Sequence, residues 1–212
     1  NELSSGVSQI FSTRSAFAAL KDDGSVITWG DSYYGGDSSA VADELTSGVS
    51  QIFSTYGSFA ALKDDGSVIT WGDSSYGGDS SSVANELSSG VSNISSNRYC
   101  FAALKDDGSV VTWDNSFVLP WADFSPGGDS SSVADELSSG ISQIFSTDYA
   151  FAALKDDGSV VTWGDSGSGG DSSSVADELS SGVSQIFSNN EAFAALKDDG
   201  SVVSWGDDFG GG

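Results

Sequence analysis

The sequence predicts an all-β protein, a five-bladed β-propeller spanning residues 1–212 as a single domain. A ten-residue phrase, Phe-Ala-Ala-Leu-Lys-Asp-Asp-Gly-Ser-Val, occurs five times, beginning at Phe17, Phe59, Phe101, Phe151 and Phe193. Each copy leads to a tryptophan (Trp29, Trp71, Trp113, Trp163, Trp205), so the units are spaced by 42, 42, 50 and 42 residues. A unit of that size cannot bury its own apolar face, so neighbouring units must stack against one another.

Within a unit the elements follow in a fixed order, best seen in the fourth copy. Ile141 to Thr147 alternates polar with apolar residues and predicts a first strand, A. Phe151 to Leu154 predicts strand B, Lys155-Asp-Asp-Gly158 a tight turn, and Ser159 to Trp163 strand C. A glycine-rich loop follows from Gly164 to Asp171. Val175-Ala-Asp-Glu-Leu179 has two apolar residues four apart, which fits either an outer strand D or one turn of helix; a short strand is the expectation. Three to four antiparallel strands per unit, repeated about every 42 residues, match propeller blades. The repeats run approximately over 1–42, 43–84, 85–134, 135–176 and 177–212. The partial units at the two ends predict a closed ring, which would remove exposed sheet edges. A parallel β-solenoid is the rival architecture, but its repeats are usually shorter, roughly 20–30 residues.

The string Phe-Ala-Ala-Leu-Lys-Asp-Asp-Gly-Ser-Val-Val-Thr-Trp-Gly, with its glycine-rich loop, resembles the repeat of the regulator of chromosome condensation family. The resemblance covers all five units and implies a β-propeller. The family's founder has seven longer blades and catalyses nucleotide exchange on a small GTPase beside chromatin. This chain has five short units and lacks the family's usual Gly-x-x-His before strand B. It is more similar to the short bacterial repeats that share this blade.

Charge narrows the function. With 31 acidic residues, 7 basic residues and no histidine, the net charge is −24. That excludes non-specific nucleic-acid binding, which needs a basic surface. No run of about 18 apolar residues is present to insert in a membrane. The chain begins at Asn1 without a methionine and is expected to be a processed or excised piece.

Catalysis finds little support, and no catalytic residue is assigned. Without histidine the usual general base and metal ligand is missing. Cys100, the only cysteine, has no imidazole to activate it and is expected to serve as a small apolar residue. The Asp22–Asp23 pair and its four equivalents are turn residues, and no lysine or arginine follows the Gly-Gly-Asp-Ser loops as a phosphate cradle requires. No cofactor is expected. Structural calcium on loops carrying Asp31 and Asp37 is the alternative, since aspartates beside serine oxygens suit a hard cation.

The informative feature is where the five copies disagree. One window lies between strands A and B: Arg14-Ser-Ala16, Tyr56-Gly-Ser58, Arg98-Tyr-Cys100, Asp148-Tyr-Ala150 and Asn190-Glu-Ala192. The other follows Trp-Gly-Asp: Ser32-Tyr-Tyr34, Ser74-Ser-Tyr76, an insertion in copy three, Ser166-Gly-Ser168 and Asp208-Phe-Gly210. All six tyrosines and both arginines fall in these windows, whereas all five lysines belong to the constant turn. In an antiparallel meander successive turns alternate ends, so both windows should emerge on one face of the disc and the constant turns on the other. Tyrosine, arginine and small polar residues on loops of a rigid β scaffold suit recognition.

These considerations predict a non-enzymatic recognition scaffold for a protein partner. The candidate contact residues are Arg14, Tyr33, Tyr34, Tyr56, Tyr76, Arg98, Tyr99, Tyr149, Glu191 and Phe209, with Phe117, Val118, Leu119, Trp121 and Phe124 from the copy-three insertion. That insertion is eight residues longer than its siblings, from the 50- and 42-residue spacings, and carries two prolines that would stiffen it. It either contacts a partner or folds back to plug the ring, because Ser95 replaces the phenylalanine of its siblings. A glycan-binding propeller and a structural section of a larger surface protein are the alternatives. A monomer is expected. Tandem duplication with divergence, or a library built on a repeat scaffold, would each generate this pattern.

Overall fold

The computed structural model describes residues 3–113 and 127–212. Its strands form five three-stranded antiparallel sheets, each taken up in chain order. Blade 1 holds β1 (Val7–Ser12), β2 (Ala16–Lys21) and β3 (Val26–Gly30), and blade 2 holds β4 (Val49–Ser54), β5 (Ser58–Lys63) and β6 (Val68–Gly72). Blade 3 holds β7 (Val91–Ser96), β8 (Phe101–Lys105) and β9 (Val110–Trp113), and blade 4 holds β10 (Ile141–Ser146), β11 (Ala150–Lys155) and β12 (Val160–Gly164). Blade 5 holds β13 (Val183–Ser188), β14 (Ala192–Lys197) and β15 (Val202–Gly206). The five-bladed all-β architecture and strands A, B and C stand as the repeat predicts.

The outer strand D does not form. Its place is taken by single turns of 3-10 helix at Ser39–Val41, Ser81–Val83, Ser131–Val133 and Ser173–Val175. The preceding aspartate accounts for the difference, because Asp37 Oδ1 accepts the Ser39 N–H at 2.9 Å and turns the chain locally. The same bond recurs at Asp79, Asp129 and Asp171. Leu45, past that turn, is 2% exposed, and its carbonyl accepts the Val26 N–H, so the segment closes the blade's outer side without becoming a strand.

Apolar cores lie between blades. Phe59 and Trp71 of blade 2 stack with centroids 5.2 Å apart and pack on Ala16, Ala18, Leu20, Phe11 and Val26 of blade 1. Equivalent clusters join blades 2 and 3, 3 and 4, and 4 and 5. Each seam carries the same hydrogen bonds. Trp71, Trp113, Trp163 and Trp205 donate from Nε1 to Gly35, Gly77, Gly127 and Gly169 of the blade before, at 2.9–3.1 Å. Those glycines are required: a Cβ on Gly35, at φ +93°, would meet Phe59 Cδ2 at 2.7 Å.

The ring is open between the first and last blades, contrary to expectation. Phe17 is 44% exposed, whereas its equivalents Phe59, Phe101, Phe151 and Phe193 are 0–1% exposed. Ile10 is 61% exposed against 3% for Ile52, and Val202 is 64% exposed against 7% for Val68. Among the described residues no apolar cluster joins blade 5 to blade 1. Repeats of identical pattern state that neighbours pack, but not how far each seam rotates one blade from the next.

Candidate functional site

The two variable windows meet on one face, and among the described residues a single side chain joins them in blades 1, 2, 4 and 5. Thr55, at the end of β4, accepts the Ser58 N–H on Oγ1 at 3.1 Å and donates to the Tyr76 carbonyl at 2.9 Å. Thr13 and Thr147 do the same toward Tyr34 and Ser168. In blade 5 Asn189 serves instead: Oδ1 accepts the Ala192 N–H at 2.8 Å and Nδ2 donates to the Gly210 carbonyl at 2.7 Å. In blade 3 Asn97 Oδ1 accepts the Cys100 N–H at 2.9 Å. These five residues are missing from the sequence-derived candidates. The signal was the Thr/Asn exchange itself, since threonine and asparagine share one acceptor and one donor at matching reach.

The three positions of the first window have different duties. The first uses its backbone: Arg14 N–H donates to the Tyr56 carbonyl, Tyr56 to Arg98, Arg98 to Asp148 and Asp148 to Asn190, at 2.9–3.1 Å. This chain of amides runs from blade to blade around the axis regardless of side chain. The second position also contributes a carbonyl, as when Gly57 accepts the Asp73 N–H and Tyr149 the Asp165 N–H. The third position belongs to the framework. Ala16, Ser58, Cys100, Ala150 and Ala192 are 0–4% exposed, and Ala16, Ser58, Ala150 and Ala192 pack against the glycine that ends strand C, Gly30, Gly72, Gly164 and Gly206. Cys100 thus occupies a small buried slot otherwise filled by alanine or serine.

Side chains at the free positions assemble into one ridge. Tyr33 meets Tyr34 with centroids 5.5 Å apart, Tyr34 meets Tyr56 at 6.2 Å, and Tyr56 meets Tyr76 at 5.3 Å. Tyr76 stacks on Tyr99 at 5.2 Å and 16°, and Tyr99 on Tyr149 at 5.5 Å and 28°. The ridge crosses four blades. Arg14 and Arg98 both lie over the Tyr56 ring, at 5.2 and 4.7 Å from its centroid, and the Arg14 guanidinium also donates to the Tyr56 hydroxyl.

Neighbouring charge and burial act on three of the ridge's phenols and on Arg98. The nearby Asp73 carboxylate, through its charge and a hydrogen bond, raises the Tyr33 phenol above its ordinary value. Burial does the same for Tyr76 and Tyr99, aided by neighbouring phenols. For Arg98 burial opposes charge, but Tyr99, Tyr149, Tyr56 and Asp148 together outweigh it and raise its pKa.

Beside the ridge, toward the axis, lies an open well of about 550 Å³. The ends of β4, β7, β10 and β13 line it with Ser54, Ser96, Ser146 and Ser188, and Tyr56, Arg98 and Asp148 stand at its edge. Successive blades are tied here as well: Ser96 Oγ donates to the Ser54 carbonyl and Ser146 Oγ to the Ser96 carbonyl.

The ridge brings together eight of the predicted contact residues: Arg14, Tyr33, Tyr34, Tyr56, Tyr76, Arg98, Tyr99 and Tyr149. Glu191 and Phe209 are exposed in blade 5 and make none of the ridge's ring contacts. Phe117, Val118, Leu119, Trp121 and Phe124 lie outside the described residues. Ser95, where the siblings have phenylalanine, donates to the Ile144 carbonyl of blade 4 at 3.0 Å. Asp31 and Asp37 each accept a backbone N–H two residues on, acting as local caps. Among the described residues no cluster of three metal-ligating side chains occurs, and no helix is long and apolar enough to cross a membrane.

No protein-family model matches the sequence, and no curated protein matches it. Solved structures do. Human WBSCR16 superposes with a TM-score of 0.54 at 22% identity, over 94% of this chain and 61% of that one. Prp20p from Saccharomyces cerevisiae, whose structure was described with its binding to Gsp1p and histones, gives 0.57 at 15% identity, over 93% and 56%. Yeast RCC1 (Prp20) bound to Kap60 gives 0.56 at 17% identity, over 93% and 55%. The chain spans 55–61% of the length of these neighbours. At such identities the likeness is one of fold, that of a β-propeller.

Proposed function

We propose that the chain is a non-enzymatic recognition scaffold that binds a protein partner on the face carrying the tyrosine–arginine ridge. The observation that carries this reading is the convergence of all six tyrosines and both arginines, scattered over four repeats, into one contiguous surface. Tyrosine and arginine are enriched at the energetic centres of protein interfaces, because they present large, stiff, amphipathic area. Propeller neighbours were described with protein partners, Gsp1p, histones and Kap60, which supports the same class of ligand. The net charge of −24 steers a basic partner toward this protein.

A glycan fits the ridge less well. Sugars stack on open aromatic faces, whereas Tyr76, Tyr99 and Tyr149 stack on one another. The five windows also differ, while equivalent lectin sites need a shared set of ligands. The copy-three insertion, with Trp121, adjoins the second window in sequence and is assigned to the same contact.

Selecting binders from a displayed peptide library with the native chain, then measuring them against Tyr56→Ala and Tyr99→Ala, tests the reading. Each substitution should weaken binding about 5- to 30-fold, the size of a loss of about 1–2 kcal/mol at an interface centre. Binders whose affinity ignores both substitutions, or a glycan array giving multivalent sugar binding, would overturn it.

A further inference from the structure

The two ends of the arc are complementary halves of one seam that the chain already builds four times. On blade 1, Ile10, Phe17 and Trp29 occupy the positions of Ile52, Phe59 and Trp71, which are buried against a preceding blade. Ile10 is 61% and Phe17 44% exposed, and Trp29 is only half-buried. On blade 5, Phe187 and Val202 occupy the positions of Phe11 and Val26, which receive a following blade. They are 52% and 64% exposed. Exposed apolar groups of this size, arranged as they are inside a core, mark an interface.

Polar groups at the ends match in the same way. Trp29 lacks the glycine carbonyl acceptor that the other four repeat tryptophans find, and Gly211 stands where Gly169 offers one to Trp205. A Cβ on Gly211 or Gly200 would meet nothing within 4 Å, whereas one on Gly169 would strike Phe193 at 2.6 Å and one on Gly158 the Gly182 amide at 2.9 Å. Both places stand empty in the shape of a neighbour. The amide chain around the axis likewise stops at Asn190, the acceptor for Asp148.

We propose that this chain associates head to tail, blade 5 of one copy docking on blade 1 of a second copy through the seam that joins its own blades. The four internal seams show that a repeat of this sequence fits that surface. Because one end differs from the other, the contact is heterologous, so copies add head to tail into a closed ring if the rotation per copy closes and into an open chain if it does not. This replaces the expectation of a monomer. Mutual repulsion of chains at −24 opposes the contact at low salt, so association should strengthen between about 0.01 and 0.15 M salt as the Debye length falls from roughly 30 to 8 Å.

Sedimentation of the 212-residue chain across a hundredfold range of concentration tests this. The expected result is a weight-average mass that climbs through whole multiples of the chain. Phe17→Arg blocks the head and Val202→Arg the tail, and both sites are solvent-exposed in a single copy, so each variant should fold, as circular dichroism would check. Each alone should remain monomeric, while an equimolar mixture should stop at a dimer, since one variant keeps the tail and the other the head. A wild-type chain monomeric at every concentration would overturn the proposal. Self-association that persists in both variants, or a mixture that stays monomeric, would overturn it equally.

Discussion

Replacing Thr55 with valine preserves the shape of the side chain and removes only its hydroxyl. That oxygen accepts the Ser58 N–H at 3.1 Å, sits 3.4 Å from the Gly57 nitrogen, and donates to the Tyr76 carbonyl at 2.9 Å, all at a residue 6% exposed. The Tyr76 carbonyl keeps the Ser58 hydroxyl as a donor, so its loss is partial. The Ser58 N–H has no such substitute. A buried donor left unpaired costs about 1–3 kcal/mol, and the weaker effects on Gly57 and Tyr76 bring the expected loss to about 3 kcal/mol. For a chain of this length that lowers Tm by roughly 6–12 °C in a calorimetric scan. Thr55→Asn should be nearly neutral, because Asn189 performs both duties in blade 5. If valine were tolerated, or asparagine cost as much as valine, the two windows are not held together through this residue.

Phe59→Ala removes a fully buried ring and should cost about 3–5 kcal/mol by urea denaturation at dilutions where the chain is monomeric, while Phe17→Ala at the open end should cost less than half as much; equal losses there would mean that the ring is closed within one copy. Gly77→Ala forces a Cβ to 2.8 Å from Phe101 at φ +85° and should cost about 2–4 kcal/mol, against about 1 kcal/mol for Gly211→Ala, where the space is empty. Acid stability follows the turn aspartates. Hydrogen bonds from Ser25 and its equivalents hold Asp23, Asp65, Asp107, Asp157 and Asp199 below the ordinary value of 3.8. A depressed folded pKa adds stability that is complete above the unfolded value and is lost as pH falls through the folded one. Tm should therefore hold or rise from pH 7 to about 4, as other carboxylates protonate and repulsion eases, then fall below pH 4; a steady decline beginning near pH 6 would contradict this.

The blade was legible in the sequence because period-two alternation, an Asp-Gly turn and a recurrent Trp each specify local geometry. The outer segment was not, since two apolar residues four apart in Val175 to Leu179 satisfy either a strand or a helical turn. The decision rested on an aspartate two residues before the turn, whose side chain caps it. Ring closure was hidden for a different reason. Identical repeats fix that neighbours pack, whereas the number needed to close a circle depends on a small rotation per seam that no residue type reports. Convergence of the windows followed from strand alternation alone, but the contacts between individual tyrosines needed coordinates.

Backbone and side chain divide the work on this face. The amide chain through Arg14, Tyr56, Arg98, Asp148 and Asn190 uses N–H and C=O groups that every residue but proline supplies. The joining Thr or Asn bonds to the carbonyls of the second window, again blind to side chain. The third position is buried and stays small, which is why it varies only among alanine, serine and cysteine. What remains free is a set of positions whose side chains can change without touching the fold, and these are the positions where tyrosine and arginine accumulate. Framework drift alone has no reason to fill such positions with the residues that interfaces favour. Their contact across four blades is what the proposed binding surface rests on.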